Sequence, residues 1–146
     1  MDRLDGLRPD GKPLSPFISV TVQLYLAIFI GGGLGSLARF ATGRFTLSLA
    51  PKAYFPVGTF AANMLSIVVF ALVFNWLQRQ EVSLSAETWR AALLVGFCGG
   101  FSTFSTFSFE TVELWRLGHT GWAVANIVIS VLVGVGIFAL LLKTST

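Results

Sequence analysis

Charge, cysteine and histidine are scarce in this sequence. Charged residues make up 12% of the 146 residues, roughly half of the ~25% that soluble domains carry. There is one cysteine, Cys98, and one histidine, His119. A single cysteine excludes an internal disulfide. The sequence also has no cluster of metal-ligand residues, no nucleophile with a matching base and no phosphate-binding loop, and these absences argue against an enzyme.

Apolar residues are abundant instead, at 54% of the chain. A bilayer core of ~30 Å requires about 20 apolar residues per helix, and four runs meet that length. The sequence therefore predicts an all-α integral membrane protein with one four-helix transmembrane domain over residues 17–142. A polar N-terminal tail, residues 1–16, precedes it, and a short C-terminal tail, residues 143–146, follows it. The four predicted spans are residues 17–40, 56–77, 88–115 and 122–142.

A stretch rich in glycine, phenylalanine and hydroxyl residues lies inside the third apolar run, at residues 96–110. Glycine is unfavourable in a helix interior because it loses the most backbone freedom, so we expect a break near Gly99 and Gly100. A broken helix in a membrane commonly marks an ion or substrate site. Beyond the break, a three-residue rhythm places rings beside hydroxyls: Phe101, Phe104 and Phe107, followed by Ser102, Ser105 and Ser108, with Thr103 and Thr106 between.

The predicted first span ends at a basic residue, Arg39, and Arg44 and Lys52 follow in a loop. Arg39 has two interpretations, an interfacial anchor that reaches toward lipid head groups or a charge that attracts anions at a pore mouth. Within the span, small residues four apart favour close packing against another helix: Gly31 with Gly35, and Gly32 with Ser36.

Polar side chains also occur inside the second and fourth spans. Asn63 lies in the second, and a buried amide in lipid must find a partner. It either joins two helices or donates into a polar pathway. In the fourth span, Asn126 and Ser130 are four residues apart and therefore share a face. Glu110 and Glu113 lie toward the end of the third span, where an interfacial position is expected.

These residue types favour transport of a small anion. A pathway lined by carboxylates selects cations, whereas hydroxyls, amides and the positive edges of aromatic rings are neutral donors that suit a strongly hydrated anion. Backbone carbonyls freed by a helix break have the opposite preference and coordinate hard cations. If two copies met at the break, four carbonyls would enclose one cation, and its charge would favour anions in adjacent pores.

Lysine and arginine are distributed almost evenly on the two sides of the predicted spans. A clear excess normally marks the cytoplasmic side. Four spans place both termini on one side of the membrane. Because the excess of basic residues on that side is small, it permits insertion in both orientations and hence an antiparallel homodimer. One side holds six basic residues and the other holds four: Arg3, Arg8, Lys12, Arg79, Arg90 and Lys143 against Arg39, Arg44, Lys52 and Arg116.

Residues 96–110, Gly-Phe-Cys-Gly-Gly-Phe-Ser-Thr-Phe-Ser-Thr-Phe-Ser-Phe-Glu, resemble the signature of the CrcB/Fluc family of fluoride channels. Residues 31–39 are similar to the first helix of that family, residues 56–63 to the start of its second, and residues 121–126 to its fourth. The similarity extends over about residues 25–142, nearly the whole predicted membrane part.

The resemblance implies a dual-topology antiparallel homodimer with two fluoride pores and one structural sodium ion, bound by the backbone carbonyls of Gly99 and Ser102. It also implies passive export of cytoplasmic fluoride across the inner (plasma) membrane of a prokaryote, which confers fluoride resistance. By matching motif positions, the fluoride pathway contains Asn63, Phe104, Phe107, Ser105, Thr106, Ser108, Ser130 and Arg39.

The alternative function is a small proton-coupled multidrug exporter of four helices, which also works as an antiparallel dimer. Such a transporter requires an ionisable carboxylate deep in a span to exchange protons for a cationic drug. The first, second and fourth predicted spans contain none, and the third carries Glu110 and Glu113 only toward its end.

Overall fold

The computed structural model of the chain describes residues 14–51 and 53–143, with side chains described for residues 19–51 and 53–142. The described segments are helical apart from short connections, and a π-helical segment, Ala91–Cys98, lies between α3 and α4. The α-helices are α1 (Leu14–Leu49), α2 (Val57–Gln78), α3 (Leu84–Arg90), α4 (Gly99–Phe101), α5 (Phe104–Arg116) and α6 (Thr120–Lys143).

Within the described residues, four helical stretches have the length and composition to cross a membrane, which confirms the prediction of a multi-pass all-α membrane protein. Residues 1–13 and 144–146 of the predicted polar tails lie outside the described residues, while residues 14–16 already belong to α1. The third stretch, called the third span below, runs from α3 through α5. The four stretches are Ser19–Leu49, Val57–Gln78, Leu84–Arg116 and Thr120–Leu142.

The first span is longer than predicted, and Arg39 does not end it. α1 continues to Leu49, so Arg39 and Arg44 are both helical, and the predicted loop begins only near Pro51. Proline disfavours helical conformation in the residue before it and cannot donate a backbone hydrogen bond, whereas a charged residue has no such effect. Lys52 lies outside the described residues.

The third span begins earlier than predicted, because α3 starts at Leu84 within the expected loop of residues 78–87. Ser83 provides the signal. Its hydroxyl accepts a hydrogen bond from the amide of Ala86 at 3.2 Å, which satisfies one of the free N–H groups at a helix start. The prediction overlooked this cap and therefore placed Glu87 in the loop.

Small residues line the helix contacts. α1 packs along the π-helical segment and α4, α2 lies between α1 and α6, and α5 packs on α6. Gly31 and Gly35 of α1 are buried, and a Cβ atom at either position would overlap a carbonyl oxygen of the π-helical segment, that of Ala92 or Phe97 respectively. The predicted close packing of these two glycines is confirmed.

The interruption of the third span does not lie at the paired glycines. Gly99 has helical angles, φ −64° and ψ −37°, and Gly100 belongs to the same helix, α4. The residues that leave the helical conformation are Ser102 (φ −76°, ψ 158°) and Thr103 (φ −151°, ψ 114°), called the extended pair below. Gly100 serves packing instead, because a Cβ there would overlap the carbonyl oxygen of Gly32.

Candidate functional site

The extended pair is held from α2 by Asn63. Its Oδ1 accepts a hydrogen bond from the amide of Thr103 at 2.7 Å, and its Nδ2 donates to the carbonyl of the same residue at 3.4 Å. In a continuous helix the Thr103 amide would donate to the carbonyl of Gly99, four residues earlier. Asn63 therefore joins two helices, and it frees the Gly99 carbonyl from its normal partner. The side-chain amide nitrogen of Asn63 has two protons, and its bond to the carbonyl of Thr103 uses one of them.

Two further side chains support the same segment. Nη1 of Arg39 donates to the carbonyl of Ser102 at 3.1 Å, and the hydroxyl of Ser66 donates to the carbonyl of Cys98 at 2.9 Å. The hydroxyl of Ser102 also donates to the Cys98 carbonyl, at 3.0 Å. The sequence allows Arg39 to be an anchor or an anion attractor, and the structure gives its guanidinium a backbone partner that neither interpretation includes.

A cavity of about 560 Å³ opens beside the extended pair. Its walls come from the second half of α1, the connection to α2, the start of α2 and the start of α5. Arg39 therefore contacts the cavity as well as the backbone, which leaves the anion-attracting role open. The polar residues of the lining are Ser36, Arg39, Arg44, Thr46, Thr59, Thr103, Thr106 and Glu110.

Glu110 has a partner that the sequence did not indicate. Its Oε1 accepts a hydrogen bond from the hydroxyl of Thr59 at 2.9 Å, across the contact between α5 and α2. Its Oε2 is buried, and among the described residues it has no hydrogen-bond partner. Glu113, one turn further along, instead pairs with Arg116 at 3.1 Å. The two carboxylates thus have different surroundings.

The three phenylalanines at positions 101, 104 and 107 have different environments on the two sides of the extended pair. The rings of Phe104 and Phe107 lie 5.8 Å apart between centroids, at an interplanar angle of 35°, and Phe104 is 80% exposed on this single chain. Phe101 is buried and packs on Phe97 at 5.6 Å. Two of the three rings therefore form a surface pair, while the third belongs to the helix packing.

The hydroxyls predicted to form a polar track are only partly connected. Thr103 caps α5 by accepting a hydrogen bond from the amide of Thr106 at 3.2 Å. Its hydroxyl also donates to the Thr106 hydroxyl at 3.0 Å and lies 3.2 Å from that of Ser105. Ser108 donates to the carbonyl of Phe104 at 2.9 Å. Ser105 and Thr106 thus cluster at the extended pair, and Ser108 lies one turn along α5.

Ser130 lies on α6 and is connected to a different network. Its hydroxyl donates to Oδ1 of Asn126 at 3.4 Å. Nδ2 of Asn126, a residue only 1% exposed, donates to the hydroxyl of Thr111 at 2.8 Å. The sequence places Asn126 and Ser130 on one face but does not identify Thr111, because nothing local to α6 specifies a partner on α5.

The backbone at the break offers oxygen ligands of the kind that a hard cation prefers. The Gly99 carbonyl has lost the Thr103 amide to Asn63, and the Ser102 carbonyl, which accepts from Arg39, keeps a second lone pair. Two carbonyl oxygens from one chain are fewer than the ligands that a hard cation takes, and the guanidinium of Arg39 brings a positive charge to one of them. Among the described residues there is no group of three or more His, Cys, Asp and Glu that could hold a metal ion.

The family profile described as "CrcB-like protein, Camphor Resistance (CrcB)" matches residues 26–142. The chain belongs to this CrcB family. The match covers most of α1 and all of the third span, so it includes the extended pair and every predicted site residue. The resemblance found from residues 96–110 is confirmed.

Curated members of the CrcB family carry a functional name. The chain is 40% identical over 111 residues, 76% of its length and 84% of theirs, to proteins named "Fluoride-specific ion channel FluC" from Escherichia fergusonii, Salmonella arizonae and Salmonella newport. An ion channel is not an enzyme, which agrees with the absence of catalytic motifs from the sequence.

Proposed function

We propose that this chain is a fluoride-specific ion channel that lets cytoplasmic fluoride leave a prokaryotic cell passively across its inner membrane and so confers fluoride resistance. The observation that carries the proposal is the interrupted third span, at which a ring pair and a hydroxyl cluster adjoin freed backbone oxygens. Similarity to relatives that are named fluoride-specific channels supplies the identity of the ion.

The proposed pathway uses neutral donors. Ring edges of Phe104 and Phe107 present the positive part of the aromatic quadrupole. The hydroxyl of Thr106 accepts from Thr103 and keeps its own proton for an arriving anion, whereas Ser108 would first have to release the carbonyl of Phe104. The hydroxyl of Ser105 completes the proposed set. Neutral donors replace part of the hydration of fluoride without trapping it, as conduction requires. Catalysis is no part of this mechanism.

The proposed assembly is an antiparallel, dual-topology homodimer in which two copies meet at the break. Gly99 is exposed, and no atom lies within 4 Å of the place that a Cβ would take, so a second backbone has room to approach. The carbonyls of Gly99 and Ser102 from both copies would then hold one structural sodium ion. Its fixed charge would favour anions in the adjacent pores.

The alternative of a proton-coupled multidrug exporter gains no support from the relatives, which are named as channels. Glu110 is the residue such an exporter would need, since it is a partly buried carboxylate beside a cavity. An exporter requires a proton gradient and a cationic substrate. A passive fluoride channel requires neither, so the two functions make opposite predictions in one assay.

The test is fluoride efflux from liposomes that contain the purified protein, measured with a fluoride electrode. We expect rapid fluoride release, little chloride release and no dependence on an imposed proton gradient. Protein-free liposomes of the same lipid provide the control. A fluoride gradient that persists in the presence of the protein would contradict the proposal, and transport of a cationic drug driven by protons would favour the exporter.

A further inference from the structure

A chain of three hydrogen bonds leads from α6 to the backbone of α5. The hydroxyl of Ser130 donates to Oδ1 of Asn126 at 3.4 Å, and Nδ2 of Asn126 donates to the hydroxyl of Thr111 at 2.8 Å. The hydroxyl of Thr111 donates in turn to the carbonyl of Phe107 at 2.7 Å. Asn126 is 1% exposed and Thr111 is 8% exposed, so the bond between these two residues is buried, while Ser130 is half-buried.

The central link of this chain is the Thr111–Asn126 pair. Between Trp122 and Leu142, α6 has only Asn126 and Ser130 as polar side chains, so the rest of its surface is apolar or glycine. Apolar side chains pack in many rotational positions, whereas a buried amide must meet one particular partner. The pair therefore selects one rotation of α5 about its own axis relative to α6.

The pair contributes little as helix–helix adhesion. Interhelical hydrogen bonds in membranes contribute about 0.6 kcal/mol on average and at most about 1.7 kcal/mol. The side chains of a functional site, by contrast, must be placed to within about 0.5 Å. Because Thr111 lies one helical turn after Phe107 and bonds to its carbonyl, a rotation of α5 at this point would turn the ring of Phe107 directly.

We infer that Thr111 and Asn126 are positioning residues that fix the direction of the Phe104–Phe107 ring pair, an inference that rests on the proposed function. Thr111 lies on the side of α5 that faces α6, and Asn126 lies opposite it on α6. Asn63 holds the start of α5, through Thr103, from the side of α2. The ring pair is therefore fixed between supports on two different helices.

The experiment compares Thr111→Val, Thr111→Ser, Asn126→Leu and the double variant Thr111→Val/Asn126→Leu. Valine removes the hydroxyl and leaves the Asn126 amide without its partner, while the double variant replaces both polar groups by apolar ones. Thr42→Val is the matched control, because the Thr42 hydroxyl donates to the carbonyl of Ala38 in its own helix. The readouts are fluoride efflux, thermal unfolding in detergent, and the ¹⁹F NMR spectrum of 4-fluorophenylalanine placed at position 107.

We expect Thr111→Val and the double variant to lose at least about tenfold in fluoride efflux, since misplacement by ~1 Å can cost ~10²-fold in sites that depend on alignment. The ¹⁹F signal should shift or broaden in both. The double variant should unfold near the wild-type temperature, because both partners of the buried Thr111–Asn126 bond become apolar; the half-buried hydroxyl of Ser130, which loses Asn126 Oδ1, can donate to the backbone carbonyl at position 126, one turn earlier. Thr111→Ser keeps the hydroxyl and should restore both efflux and spectrum, and Thr42→Val should change neither.

Wild-type efflux from the double variant would overturn the inference, and so would failure of Thr111→Ser to restore the ¹⁹F spectrum. If Thr111→Val does not fold, the double variant and Thr111→Ser decide the question. If the wild-type protein conducts no fluoride, the proposed function fails, while the ¹⁹F spectra still report whether the pair positions the ring of Phe107.

Discussion

The two halves of the third span are held in place by different means. Residues 84–101 pack on α1 through backbone contacts that only glycine permits, at Gly31 and Gly35 on α1 and at Gly100 on the span itself. Residues 104–116 are held by side-chain hydrogen bonds to α2 and α6. The first half packs mainly through backbone contacts, with one side-chain bond from Ser66 to the carbonyl of Cys98, and the second half places polar groups and rings at defined positions. The extended pair lies at the boundary between the two halves.

The largest effect is expected from Asn63→Asp at the boundary between the halves. Aspartate still accepts the Thr103 amide, so the clamp largely remains, but its charge repels an anion. A unit charge ~4 Å from another costs about 4 kcal/mol at an effective dielectric constant of ~20, and we expect at least a hundredfold loss of fluoride efflux. Asn75→Asp is the control, since Asn75 donates to the Leu141 carbonyl near the end of α2. Equal efflux from both variants would place the pathway elsewhere.

A packing variant tests the first half. Gly31→Ala places a methyl group against the carbonyl oxygen of Ala92, and overpacking of this kind costs about 1–3 kcal/mol. Gly33→Ala is the matched control because no atom lies within 4 Å of its added Cβ. Unfolding in mixed detergent–SDS micelles should show a lower free energy of unfolding for the first variant alone. Equal stability of the two variants would mean that α1 and the third span are not packed this closely.

The sharpest comparison comes from two phenylalanines three residues apart, one on each side of the extended pair. Phe101→Ile alters a buried ring in the first half and should cost about 1–3 kcal/mol of stability. Phe104→Ile alters a ring that is exposed on the single chain and should lower stability less than Phe101→Ile does, while reducing fluoride efflux. Micelle unfolding and liposome efflux on both variants measure the contrast. If Phe104→Ile lost stability but kept its fluoride efflux, the ring of Phe104 would belong to the helix packing and not to the fluoride pathway.

Much of the fold followed from the sequence alone. The four apolar runs predicted four spans, the spacing of Gly31 and Gly35 predicted close packing, and residues 96–110 indicated the family. These features are local, because each depends on composition or on spacing within one helix. The charge of Arg39 predicts too early an end for α1, because the signal that ends the helix is Pro51.

The rest of the site depends on partners far apart in sequence. The interruption was expected at Gly99 and Gly100, but Asn63 binds the Thr103 amide from forty positions away. No pattern within the third span reveals that bond. Two other pairs likewise cannot be predicted from either helix alone, because their members meet only when two helices pack together: Thr59 with Glu110, and Thr111 with Asn126.

The central claim is that neutral donors next to the interrupted third span conduct fluoride. The most direct measurement loads liposomes with equal concentrations of potassium fluoride and potassium chloride and follows both anions after addition of a potassium ionophore. The account predicts rapid loss of fluoride with chloride retained. Retention of both anions, or their release at equal rates, would contradict it.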